Sequence, residues 1–257
     1  MKRYHFISGL PRSGSTLLTS ILNQNPKFHS DISNPLARFA KRVITESFAG
    51  PGYHIQCPES KRIELVKNLI ETYHSHIDKE VCFNTNRGWT AILPMLQQTY
   101  PDAKVICCVR DVRWVLDSFE VLFRNNPFTM SHLYGEHESE SVYTRSHYLM
   151  SQGSPVRFAY DSLKEGITGP QKKMIMILEY EQLAKNPEQT MRALYNFIGE
   201  PYFEHDFNNV EATWDEYDLD ARINGLHKIR KEVKYIERAP ILPPDLWAEF
   251  SNLEVWR

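Results

Sequence analysis

The chain has 257 residues with a formal net charge of −2, and 42% of its residues are apolar. The apolar fraction is enough for a substantial core, and the length fits one large domain or two small ones. Because acidic and basic residues nearly balance, we expect no nucleic-acid polymer as the main partner. The longest strongly apolar runs, 105–109 and 174–178, are too short to span a bilayer, so we expect no transmembrane segment.

Strand and helix patterns alternate along the chain, beginning with an apolar strand over residues 4–8. This strand starts so early that we expect no signal peptide before it. The later predicted elements are, in order, helices over about 15–24 and 60–77, a strand over 81–83, a helix over 89–100, a strand over 104–109, a helix beginning after Asp111, a strand over 174–178 and a helix over 187–198. The alternation favours a single α/β domain over 1–257, with three layers and a central parallel sheet flanked by helices.

Two segments are less regular than the rest. Residues 125–157 mix glycine, serine, histidine and acidic residues, and residues 225–244 are basic and end in proline. Long irregular segments in compact domains often form lids or binding loops. We therefore expect 125–157 to be a lid and 225–244 to cover a bound ligand, although a basic run is also common on an ordinary solvated face.

Four cysteines occur, at Cys57, Cys82, Cys107 and Cys108. The last two are neighbours in a predicted strand, so their side chains point to opposite faces and cannot easily pair. Free thiols are typical of a reducing compartment, and we expect a cytoplasmic protein.

The first strand runs into Gly-Leu-Pro-Arg-Ser-Gly-Ser-Thr at residues 9–16. This is the spacing of a nucleotide phosphate loop, G-x-x-x-x-G-K-[ST], except that Ser15 replaces the lysine and Arg12 precedes the second glycine by two residues. Such a loop turns backbone N–H groups toward an anion at a helix N-terminus, so we expect a P-loop-like domain that holds a phosphate. A glycine-rich turn with Ser13 or Ser15 capping the helix is the alternative.

A second cation and hydroxyl follow the predicted strand over 104–109. Arg110 lies just past its end, at the same sheet edge as the loop, and Ser118 lies eight residues further along the next helix. The two can share a second anion. The alternative is a strand-terminal arginine paired with Asp111 or Asp117.

Together the two motifs resemble those of nucleotide-dependent sulfotransferases. Arg12–Thr16 matches their 5′-phosphosulfate loop, and the spacing of Arg110 and Ser118 matches their 3′-phosphate pair. Four further segments are similar to tyrosylprotein or bacterial sulfotransferases: residues 84–90, 178–188, Tyr160, and 225–229 with Lys234 beyond.

The resemblance implies a sulfotransferase that moves a sulfonate group from 3′-phosphoadenosine 5′-phosphosulfate to a hydroxyl acceptor and releases adenosine 3′,5′-bisphosphate. The donor-binding residues it implies are Arg12, Ser13, Gly14, Ser15, Thr16, Arg110, Ser118, Tyr160, Lys228 and Lys234. Tyr160 is otherwise an ordinary residue of an amphipathic helix. We expect no metal: His74 and His76 are two apart on a helix, and no cysteine–histidine spacing resembles a zinc site.

The acceptor hydroxyl needs a general base. The glutamate of the tyrosylprotein enzymes would fall at Ser33, so we predict Asp31, two residues away, with His29 as the next choice. Asp31 as a cap of the turn before Asn34 is the alternative. Arg87 replaces a lysine that related enzymes carry nearby, and we predict that it orients the sulfonate; otherwise it is a surface arginine at a helix start.

Two other functions fit the loop. One is a small-molecule kinase, which the missing lysine disfavours. The other is a non-catalytic nucleotide-binding module, since a serine stands where the base is expected. The acceptor (small molecule, glycan, lipid or peptidyl tyrosine) and the oligomeric state stay open.

Overall fold

Five parallel strands form the central sheet of this computed structural model, which describes residues 2–129, 132–211 and 214–257. The strands are β1 (Arg3–Gly9), β2 (Phe28–Ser30), β3 (Val81–Thr85), β4 (Val105–Val109) and β5 (Ile175–Glu179). Their order across the sheet is β2-β3-β1-β4-β5, so β1 is central. In register, Ile7 lies opposite both Thr85 and Ile106.

Helices connect and cover these strands. Within the described residues they are α1 (Ser15–Leu22), α2 (Leu36–Glu46), α3 (Tyr53–Gln56), α4 (Glu59–Tyr73), α5 (Leu93–Thr99), α6 (Val112–Asn125), α7 (Val142–Leu149), α8 (Pro155–Thr168), α9 (Tyr180–Lys185), α10 (Pro187–Ile198), α11 (Asp215–Ala221) and α12 (Pro244–Glu249). Short 3₁₀ segments lie at Arg87–Ile92, His137–Ser139 and Lys172–Met174.

The two faces of the sheet carry separate apolar cores. Alternate residues of β4 supply them: Val105, Cys107 and Val109 pack on one face, and Ile106 and Cys108 on the other. Helices α2, α4, α5, α6 and α8 bury side chains on the first face, and α1, α9 and α10 on the second. The predicted three-layer α/β architecture is therefore confirmed.

The boundaries differ from the sequence prediction where local chemistry interrupts a pattern. The helix predicted over 89–100 is a 3₁₀ segment up to Ile92 followed by α5, because Pro94 has no N–H to continue an α-helical ladder. The helix predicted to reach Ile77 ends at Tyr73. The segment 125–157, expected to be irregular, contains α7, which Ser141 and Thr144 begin with a reciprocal capping box.

The end of β1 brings the following loop very close to β4. Gly9 has φ 92°, and a Cβ placed on it would lie 2.2 Å from the carbonyl oxygen of Cys108. A side chain at this position would have to displace backbone of the central sheet. Only glycine therefore allows the chain to leave β1 in this direction.

Gly9→Ala is expected to destabilise the fold more than Gly52→Ala. Both glycines have positive φ, but a Cβ on Gly52 meets nothing within 4 Å. Both substitutions introduce the same kind of backbone strain, so the difference between their losses in free energy of unfolding reports the steric clash. We expect the loss to be about 1–3 kcal/mol larger at Gly9. Urea unfolding of both variants measures this difference, and equal losses would show that the β1–β4 approach is not tight.

The cysteines give a second prediction. Cys82, Cys107 and Cys108 are buried free thiols, whereas Cys57 is partly exposed. Burial raises the pKa of Cys82 to about 11 and that of Cys108 to about 12, and the thiolate is the reactive form. Ellman's reagent should therefore react promptly with Cys57 alone in the folded protein and with the others only after unfolding. A fast reaction that survives Cys57→Ser would contradict this.

Candidate functional site

The loop between β1 and α1 has the backbone of an anion cradle. Arg12 and Gly14 both adopt left-handed conformations, with φ 59° and 87°, and a Cβ on Gly14 would lie 2.8 Å from Tyr180 Cδ2. Gly14 is the N-cap of α1 and neither neighbouring serine caps the helix. Within the described part of the chain, the N–H groups of residues 13–17 have no hydrogen-bond acceptor. An anion at this helix N-terminus would satisfy them.

Arg12 joins the loop to two other segments. Its Nε donates to Ser118 Oγ over 3.1 Å, and its Nη1 donates to the carbonyl oxygen of Leu226. The structure thus brings Arg12 of the loop motif into contact with Ser118 of the second motif. It also places the segment that begins at Gly225 directly on the loop.

Positive charge is in excess at the loop. Burial lowers the pKa of Arg12 to about 10; the Asp218 carboxylate opposes this shift, and the charges of Arg110 and Arg87 add to it. Burial also lowers the pKa of Arg87. Buried cations close together favour an anionic ligand, because it offsets both their repulsion and their lost hydration.

Arg87 reaches the loop from the 3₁₀ segment after β3. Its Nη2 donates to Ser15 Oγ over 2.7 Å, and its Nη1 donates to the carbonyl oxygen of Ser8 over 3.3 Å. It is therefore not an isolated surface arginine. The serine that replaces the lysine of a kinase loop is the residue that holds it in place.

Arg110 pairs with neither of the carboxylates that the sequence offered. Its Nε donates to Glu181 Oε1 over 3.3 Å, and its guanidinium lies 4.4 Å from the centre of the Tyr180 ring. Asp111 is instead the N-cap of α6 and accepts from Arg113.

Asp117 anchors a different part of the chain. Its side chain is fully buried, its Oδ1 accepts from the N–H groups of Ile241 and Leu242 over 2.6 and 3.1 Å, and Arg238 pairs with its Oδ2. The end of the 225–244 segment is thus tied to α6, the helix that carries Ser118.

The start of the same segment is held by Asp218, which the sequence analysis missed. Its carboxylate accepts from the N–H groups of Gly225 and His227, each over 2.9 Å, and from His227 Nδ1 over 2.8 Å. Lys228 and Lys234 are exposed, and Lys234 lies 3.8 Å from Glu232. Within the described residues, neither lysine forms a hydrogen bond or an ion pair with the loop.

Asp31 lies at the end of β2, where both of its carboxylate oxygens accept hydrogen bonds. Asn34 Nδ2 donates to Oδ2 over 2.6 Å, and the N–H of Thr85 donates to Oδ1 over 3.0 Å. These contacts fit the turn-forming alternative, and the catalytic role of Asp31 stays a prediction. His29 lies on β2, where burial lowers its pKa.

Tyr160 lies on α8 and packs in the core of the first sheet face, with 6% of its surface exposed. Within the described residues no hydrogen bond joins it to the loop, so its nucleotide-binding role also stays a prediction.

The described part of the chain offers neither a clustered metal site nor a membrane-spanning helix. Among residues 2–129, 132–211 and 214–257, no three or more histidine, cysteine, aspartate or glutamate side chains are grouped to hold a metal ion. None of the helices in those ranges is both long enough and apolar enough to cross a membrane.

Comparison with known proteins identifies the class. The model of the sulfotransferase family matches residues 5–204, and the chain belongs to this family. A Caenorhabditis briggsae protein named "Putative protein-tyrosine sulfotransferase" is 22% identical over 240 residues, which cover 89% of this chain and 76% of the relative.

Solved structures support the fold. The sulfotransferase domain of the Synechococcus PCC 7002 olefin synthase superposes with a TM-score of 0.54 at 18% identity, covering 98% of this chain and 89% of that one. Mouse sulfotransferase SULT7A1, solved in complex with PAP, superposes with a TM-score of 0.51 at 15% identity and covers 86% of this chain. The chain spans 64% of the mouse structure, less than two thirds of its length.

Proposed function

We propose that this protein transfers a sulfonate group from 3′-phosphoadenosine 5′-phosphosulfate to a hydroxyl acceptor and releases adenosine 3′,5′-bisphosphate. The observation that carries the proposal is the position of Arg12. It is a buried cation that contacts Ser118, lies beside a loop of unpaired N–H groups, and is close to Arg110 and Arg87. This excess of donors and positive charge suits a ligand with several anionic groups.

The donor has anions on both sides of its ribose, and the site offers a partner for each. The N–H groups of residues 13–17, the N-terminus of α1 and Arg12 would hold the 5′-phosphosulfate. Arg110 and Ser118 would hold the 3′-phosphate. Ser118 already shares a hydrogen bond with Arg12, so the two subsites adjoin as one nucleotide requires.

The donor supplies an activated sulfonate, and the chain supplies position and charge. Sulfonate transfer resembles phosphoryl transfer, in which catalysis depends mainly on alignment and on stabilising charge as it develops. Arg12 and the loop N–H groups would stabilise the negative charge that grows on the departing 5′-phosphate. Arg87, held by Ser15 beside the same loop, would orient the sulfonate.

The acceptor is proposed at the level of a hydroxyl group. The C. briggsae relative is named for protein tyrosine, and a peptidyl tyrosine, a small alcohol or phenol, a glycan or a lipid would each supply the reacting oxygen. We further propose that 125–157 forms the acceptor lid and that 225–244 covers the nucleotide. The three buried free thiols support a cytoplasmic setting.

Arg110→Ala is expected to weaken binding of adenosine 3′,5′-bisphosphate at least tenfold. The variant loses charged hydrogen bonds to the 3′-phosphate, each worth about 1.5–3 kcal/mol, and leaves Glu181 unpaired nearby. Calorimetric titration measures the affinity, with Arg113→Ala as the matched control because Arg113 pairs with Asp111 on the same helix. Unchanged affinity in Arg110→Ala would remove the second anion subsite, and wild-type preference for ATP with Mg²⁺ would favour a kinase.

Arg12→Ala is expected to abolish sulfonate transfer while the protein stays folded. Removing the guanidinium deletes a charge from the proposed transition state, an effect of about 2.7–4 kcal/mol or more for a comparable oxyanion donor. The assay measures the rate of sulfonate transfer from the donor to 4-nitrophenol. Circular dichroism of the variant is the folding control. A folded Arg12→Ala variant with the wild-type rate would contradict the assignment.

A further inference from the structure

A histidine and a carboxylate form a partly enclosed pair beside the loop. His227 Nδ1 lies 2.8 Å from Asp218 Oδ1, and the two side chains are only 14% and 9% exposed. The same carboxylate oxygen accepts from the N–H of His227. The Nδ1 nitrogen therefore carries the proton that faces Asp218. Within the described residues the hydrogen bond of the imidazole is made by Nδ1 and none involves Nε2, which leaves the Nε2 lone pair available.

The pair lies next to the loop that carries Arg12. Leu226, the preceding residue, gives its carbonyl oxygen to Arg12. The positive charges of Arg12 and Arg87 both act on the His227 imidazole. The ring of Tyr217 lies 5.9 Å from the imidazole, and Tyr217 is in turn within electrostatic reach of Asp31. His227 thus adjoins the loop through Leu226 and, through Tyr217, the region of Asp31 after β2, where related enzymes are expected to carry their base.

We infer that His227 is the general base that accepts the proton of the acceptor hydroxyl, and that Asp218 is the residue that positions it. The inference rests on the proposed sulfonate transfer. Asp218 fixes the imidazole tautomer and orientation and stabilises the imidazolium, as the carboxylate does in a serine-protease triad. By contrast, both oxygens of Asp31 already accept hydrogen bonds from Asn34 and Thr85.

The step balances in atoms and charge. The acceptor O–H bond breaks, its proton goes to Nε2 of His227, and the acceptor oxygen forms a new bond to sulfur. The bond between sulfur and the 5′-phosphate oxygen breaks, and its electron pair stays on that oxygen beside Arg12. The imidazolium then loses its proton to solvent. The products are a sulfate ester, adenosine 3′,5′-bisphosphate and one proton.

The groups that face His227 favour its neutral form. Burial lowers its pKa below the ordinary value of 6.5; Asp218 opposes the shift, and the charges of Arg12 and Arg87 add to it. The contacting Tyr217 has a raised pKa and stays neutral. At neutral pH the imidazole is therefore ready to accept a proton. The transfer rate should rise with pH through a pKa below 6.5 and then level off.

The central experiment compares two acceptors in wild type and His227→Gln. Phenol has a pKa of about 10 and keeps its proton near neutral pH, whereas 4-nitrophenol is largely ionised above neutrality. His227→Gln should lower kcat with phenol by a factor of about 10²–10⁴ and lower kcat with 4-nitrophenolate much less. The variant should bind adenosine 3′,5′-bisphosphate as the wild type does. His54→Gln is the control, since His54 is exposed on α3, outside the proposed site, and stacks on Phe48.

Asp218→Asn tests the positioning role. The amide oxygen can still accept from the His227 N–H and Nδ1, the N–H of Gly225 loses its acceptor, and the negative charge that raises the His227 pKa is gone. The midpoint of the pH–rate profile should therefore shift to lower pH, and kcat with phenol should fall. A purely structural role would leave that midpoint unchanged, and such a result would overturn the role of Asp218.

Other outcomes separate the inference from the proposed function. Two results would overturn His227 as the base while leaving sulfonate transfer intact. One is that His227→Gln loses kcat equally with both phenols and also binds the bisphosphate more weakly. The other is that His227→Gln keeps the wild-type rate. Failure of the wild type to bind adenosine 3′,5′-bisphosphate would overturn the function itself.

A measurement that needs no acceptor completes the test. Spectra of ¹⁵N-histidine-labelled protein, assigned with His227→Gln, should show the Nδ1–H tautomer, a pKa below 6.5 and a shift when the bisphosphate is added. An Nε2–H tautomer, or no response to the bisphosphate, would overturn the inference even if neither phenol is a substrate.

Discussion

The site depends on holding one buried cation, Arg12, with little negative charge beside it. The N–H groups of a guanidinium removed from water need hydrogen-bond acceptors. Arg12 has two, Ser118 Oγ on α6 and the carbonyl oxygen of Leu226, and Asp218 supplies an opposing charge. These contacts join the loop after β1, the helix after β4 and the C-terminal segment. The left-handed backbone at Arg12 and the glycine at position 14 make this geometry possible.

Much of the loop and strand geometry was predictable because it depends on residues that are close together in the sequence. The phosphate-loop motif directly follows a strand and begins a helix. An anion-binding role for Arg12 and the loop N–H groups could therefore be predicted from eight consecutive residues. Alternation along a buried strand placed Cys107 and Cys108 on opposite faces, and the two cores confirm it. The carboxyl-edge rule for parallel sheets predicted that Arg110, just past β4, lies at the same edge as the loop after β1.

What the sequence did not reveal are contacts between residues far apart in the chain. Nothing near Arg110 indicates that Glu181 will be its partner, because that pairing depends on β4 and β5 being neighbours. The Asp218–His227 pair has no recognisable spacing, and its closeness to Arg12 arises only when the C-terminal segment packs on the loop. The break before α5 is a local feature that Pro94 does signal, and helical periodicity alone concealed it.

The strand order also determines when the site can exist. The central strand β1 is synthesised before its neighbours β3 and β4, which place Asn84 opposite Phe6 on one side and Val105 opposite it on the other. During synthesis the loop that carries Arg12 cannot be positioned until the neighbouring strands have been made. The contact between Arg12 and Leu226 forms later still, because Leu226 follows all five strands in the sequence. Sheets built from such distant pairings fold slowly and expose unpaired edges meanwhile. The loop of the anion cradle is therefore made well before the strands and the segment that complete it.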